Sequence, residues 1–150
     1  MSNRAESGSG FSGCVVVAGS SEIFRARQDV ASAPVTPETR QRWLRRYGGN
    51  AVELADAAAR VPKDGATIGH SVLTQAEIEY AVHREMAMTV SDVLVRRTGS
   101  FFWSADGEAS VIDDVSDTLG TAHGYTAEQR TAQQRDYRHW VERNRGKESF

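Results

Sequence analysis

From Thr36 onward, apolar residues recur at three- and four-residue intervals, the pattern of helices that each bury one face. Thr36 and Pro37 stand at N-cap and first-turn positions ahead of Trp43, Leu44 and Tyr47, and Gly48-Gly49 closes that face, predicting a first helix. Asn50 with Glu53 has cap-and-third-residue spacing, and the alanine-rich run Ala51 to Arg60 predicts a second helix that Pro62 stops. Thr74 and Glu77 form a capping box in front of a third, long helix that continues to Thr98 and ends at Gly99, with a kink expected near Thr89. Val111, Ile112, Val115 and Leu119 predict a fourth helix with Gly120 as its C-terminal cap. Thr126 and Gln129 start a last helix, which buries Tyr137, Trp140 and Val141. The expectation is an all-α fold, a small bundle of about five helices.

The third helix is the unusual one. At about 100° per residue, Ile78, Val82, Glu85, Thr89, Val93 and Arg96 share one side, with Ala81 and Asp92 on its flank. Charges on an apolar stripe require a partner or a purpose. Asp92 and Arg96 are an i,i+4 pair, and Glu85 to Thr89 is the preceding step, so Glu85, Asp92, Arg96 and Arg97 are the candidate ion network. The favoured reading is a partly buried network inside the bundle. In the alternative, Arg96 or Arg97 reaches across an interface to a second domain or an anionic ligand.

Residues 1–35 read as a flexible tail or linker because of their Gly/Ser-rich start. Gly8, Gly10 and Gly13 satisfy G-x-G-x-x-G, yet nothing strand-like precedes them, so the dinucleotide-loop context is absent. Val15 to Val17 could make one short strand, with no sheet to join. Residues 146–150 read as a polar tail.

Composition narrows the class. With 39% hydrophobic residues and a net charge of -2 over 150 residues, the chain reads as one soluble globular domain and not as a bulk nucleic-acid binder. The lone Cys14 forms no intrachain disulfide, which suits a reducing compartment. No apolar run approaches the roughly 20 residues of a membrane span, and no signal-peptide pattern opens the sequence, so the expected location is cytoplasmic. The histidines at 70, 83, 123 and 139 show no HExxH and no i,i+4 pairing, so no metal ligand is assigned. His83-Arg84-Glu85 matches the H-x-E of zinc deaminases without their P-C-x-x-C, and an i,i+4 pair of His83 with Glu79 is the better account. Phe101, Phe102 and Trp103 are expected as a core plug, with a docking surface as the lesser alternative. Arg138, Arg143, Arg145 and Lys147 alternate with acids and read as a solvated face.

The stretch LTQAEIEYAVHREMAMTVSDVLVRRTG resembles the C-terminal helical domain of FAD-dependent (aerobic) glycerol-3-phosphate dehydrogenases and alpha-glycerophosphate oxidases. Leu73, Thr74, Ala76, Glu77, Ile78, Tyr80, Val82, Glu85, Ala87, Thr89, Asp92, Leu94, Arg96, Arg97 and Thr98 carry it. Arg45-Arg46-Tyr47-Gly48 and Asn50 to Ala59 look like the family's lead-in helices, and Gly124-Tyr125 with the last helix like its ending. The resemblance implies that residues 36–145 are such a domain and that FAD binding and oxidation of glycerol 3-phosphate belong to a larger flavin domain, joined in cis or as a separate chain. None of the family's flavin or substrate residues maps onto this sequence, so no catalytic and no cofactor-binding residue is named. The role implied is to cap or support the flavin domain, without catalysis by this chain alone. A peripheral contact of the full enzyme with the inner membrane and an oligomer both stay open. The alternatives are a free-standing helical interaction module and a small independent enzyme.

Overall fold

The structure, a computed structural model, describes residues 27–145. Gly8, Gly10 and Gly13, the run Val15 to Val17 and the polar tail at 146–150 lie outside the described residues.

Helix α1 spans Pro37–Tyr47 and starts where Thr36 accepts a hydrogen bond from the Thr39 amide at 3.2 Å. It stops at Gly48, whose φ of 55° is a left-handed conformation that glycine adopts without penalty. A short 3-10 turn, Gly48–Asn50, leads into α2, Ala51–Arg60. Because Asn50 is itself in helical conformation there, its side chain makes no capping bond, unlike the sequence expectation. Helix α3, Gln75–His83, carries the full capping box of Thr74 and Glu77. Helices α4, Ile112–His123, and α5, Ala127–Asn144, complete the bundle, and α5 opens on the box of Thr126 and Gln129. Among the described residues there is no strand, only one isolated bridge between Thr67 and Thr74.

Two apolar clusters hold these elements together. The first joins Val30, Trp43, Leu54, Ala58 and Ala76; the second joins Leu73, Ile78, Val90, Val93, Leu94, Ile112, Leu119 and Tyr137. Helix α3 is the shared wall, since Ala76 belongs to one cluster and Ile78 to the other. Val30 and Ala33 fall inside the expected tail yet are buried, Val30 fully, next to a helical turn over residues 27–31. The packed unit therefore begins before residue 36, because apolar area removed from water around Trp43 holds this segment in place.

The third helix departs from expectation. It ends at His83 instead of running to Thr98, and the chain turns back through Met86, a non-glycine residue at φ 56°. The Ala87 amide donates to the Ala81 carbonyl at 2.9 Å across that turn. A new helical segment then starts at Thr89, whose hydroxyl accepts from the Asp92 amide at 3.0 Å while the Asp92 carboxylate accepts from the Thr89 amide at 3.0 Å. This is a second capping box, T-x-x-D. It opens a π-helical stretch, Asp92–Arg97, in which the Thr98 amide reaches the Val93 carbonyl at 2.8 Å.

The fourth helix also runs on past its expected end. Gly120 lies inside α4, and Gly124, at φ 70°, is the cap. Gly120 instead faces the side chain of Arg130 on α5, which would have to shift to admit a β-carbon there.

Candidate functional site

The stripe residues do not form one network. Glu85 sits half-buried in the turn after α3 and, among the described residues, has no ion pair. Asp92 and Arg96 do pair, on the surface, with side chains 18% and 68% exposed. Burial pushes the Asp92 carboxyl up, but the Arg96 guanidinium and the bonds from Met88 and Thr89 outweigh it and hold the carboxyl below its ordinary range. Arg97 is exposed, and its carbonyl accepts from Arg46 of α1. The physical reason for the division is the reversal at Met86, which takes Glu85 off the axis that carries Asp92 and Arg96.

A buried ion pair exists elsewhere. The Glu77 carboxylate, fully enclosed, accepts from Arg42 of α1 at 2.6 and 3.3 Å and from the Thr74 amide and hydroxyl at 3.1 Å each. One acid thus caps α3 and ties it to α1. Spacing reveals the cap but not the partner, which is 35 residues away in sequence. Among the described residues Glu108 is the other buried acid: burial pushes its carboxyl up, and hydrogen bonds from Ser71 and Ser100 resist that.

The aromatic run divides as well. Phe101 is buried against Trp140 at a ring separation of 4.8 Å, whereas Phe102 and Trp103 are 67% and 86% exposed. A core plug was expected for all three. Only Phe101 can serve as one, because a single 3-10 turn, Ser100–Phe102, points successive side chains in different directions. The loop that presents them is anchored: the Arg145 guanidinium stacks on the Phe101 ring at 4.8 Å and donates to the carbonyls of Phe101, Ser104 and Ala105.

Beside this loop is an open groove of about 500 Å³, with Arg42, Arg45 and Arg46 of α1 on one wall and Val72, Thr98 and Trp103 on the other. Glu38 and Gln41 lie with the arginines on the α1 side, so the groove combines a mixed polar edge with an apolar one. The imidazoles are engaged singly. His83 lies 3.0 Å from Glu79 in solvent, and His123 meets the Ala87 carbonyl at 3.0 Å. Among the described residues no group of three His, Cys, Asp or Glu side chains is placed to hold a metal, and no helix is long and apolar enough to cross a membrane.

Known proteins resemble this arrangement at the sequence level. Over 99 residues the chain is 25% identical to the aerobic glycerol-3-phosphate dehydrogenase of Staphylococcus saprophyticus, which covers 66% of this chain and 17% of that protein. Over 76 residues it is 34% identical to the aerobic glycerol-3-phosphate dehydrogenase of Bacillus subtilis, covering 48% of this chain and 14% of that protein. The chain therefore spans about a sixth of the length of these relatives. No solved structure matches it. The pattern of the C-terminal domain of alpha-glycerophosphate oxidase matches residues 14–130, starting ahead of the expected boundary at Thr36 and stopping within α5. With most of its length matched in this way, the chain belongs to the family of alpha-glycerophosphate oxidase C-terminal domains.

Proposed function

We propose that this chain is the helical cap or support of an FAD-dependent glycerol-3-phosphate dehydrogenase, an enzyme that converts glycerol 3-phosphate to dihydroxyacetone phosphate, and that it performs none of that chemistry alone. The observation that carries this reading is the family match, with the matched stretch falling on 17% and 14% of the two relatives. FAD and the substrate then belong to a flavin domain, in cis or as a separate chain. Residues 36–145, with the packed turn before them, are the supporting unit. Asp92, Arg96 and Arg97 hold backbone and surface in place, and Glu85 fills the turn between two helices. The setting is cytoplasmic, with any membrane contact made through the full enzyme.

Support has a physical meaning: a domain that binds only the folded flavin domain stabilises it by mass action. The test is to express the flavin domain with and without this chain and to measure bound FAD by its absorption and retained activity on heating. Loss of flavin or of thermal stability without the chain supports the reading. Stoichiometric FAD on this chain purified alone would overturn it, as would a flavin domain indifferent to its presence.

A further inference from the structure

We draw no further inference here: the strongest candidate, the exposed Val72 and Trp103 edge of the groove beside α1, is an apolar face with no partner among the described residues, and nothing in the structure shows what covers it.

Discussion

Glu77→Ala is the substitution from which the fold should suffer most among the charged positions. The Glu77 carboxylate is fully buried and accepts four hydrogen bonds, two from Arg42 and two from Thr74. Removing one member of a buried pair costs about 3–5 kcal/mol because the other charge is stranded. Arg42 is 26% exposed at the groove wall and can turn toward water, so the loss belongs at the lower end, about 3 kcal/mol. The cap on α3 is lost with the same oxygens, so its usual contribution is not counted again. For a chain of this length, each kcal/mol corresponds to about 4 °C in melting temperature, giving a fall of about 12 °C. Glu77→Gln keeps an oxygen for Thr74 and Arg42 Nη2 but turns an NH2 donor toward the Arg42 Nε–H, giving up that hydrogen bond along with the charge, for a loss of about 1.5 kcal/mol. Thermal melts followed by circular dichroism measure both. Adding Arg42→Met to Glu77→Ala tests the pairing, since the double variant should cost clearly less than the sum of the two single changes. A Glu77→Ala melt within about 2 °C of the parent would refute the reasoning, because that shift is only about half a kcal/mol.

Asp92→Ala should cost about 1 kcal/mol, the value of a lost cap, and Arg96→Ala under about 0.5 kcal/mol, since their pair is exposed. The Asp92 carboxyl is held below its ordinary value of 3.8, so its contribution is present above that pH and disappears as the pH falls through the lower folded-state range. Melts of Asp92→Ala and the parent should therefore converge in acid, and a gap that widens there would contradict the capping role. Glu108 has the opposite sign: its carboxyl is pushed above 4.5 by burial, so the stability it confers is complete below 4.5 and is lost as the pH rises through the folded-state range. Glu108→Gln should gain on the parent at neutral pH and lose that advantage near pH 4.5, whereas an advantage that grows on acidification would exclude burial as the cause. Met86→Gly should stabilise by up to about 1 kcal/mol, since the left-handed conformation costs a side-chain-bearing residue about 1–2 kcal/mol and glycine returns part of that as backbone entropy. A clearly destabilised Met86→Gly in urea titration would show that this exposed side chain makes contacts worth more than the strain.

Where local chemistry decides, the sequence is enough. Thr36-Pro37, Thr74 with Glu77, and Thr126 with Gln129 start α1, α3 and α5, because a cap is a contract between residues two or three apart. The resemblance to the oxidase family is legible in the same way, densest from Leu73 to Gly99 and continued by the lead-in helices and the ending. The candidate face is not legible in that way. Trp103 and Phe101 are two positions apart and chemically alike, and only the placement of Arg145 and Trp140 decides that one is enclosed and the other presented. The Arg42–Glu77 pair joins residues 35 apart, a distance at which spacing carries no signal.

The division of the stripe follows the same logic and can be argued in energies. Thr89 and Asp92 at i,i+3 suit either the middle of a helix or the start of one. Continuing α3 would have avoided the left-handed Met86, worth about 1–2 kcal/mol. Breaking it exposes backbone groups, and residues far along the chain satisfy them: Gln133 accepts from the Val90 amide at 3.1 Å and donates to the Met88 carbonyl at 3.2 Å, and the Tyr125 hydroxyl reaches the same carbonyl at 3.1 Å. These bonds replace intrahelical ones that the break removes, which leaves the strain to be offset by burial. The break brings Ala87 and Val90 into the second cluster, fully enclosed, and burying a valine contributes 1.5–3 kcal/mol or so. The decision between one helix and two therefore rests with α5 and the residues leading into it, more than forty positions from the turn they stabilise for Gln133 and Met88. Replacing Gln133 by Ala should accordingly loosen Met88 and Val90 in hydrogen exchange before it affects α1 or α2.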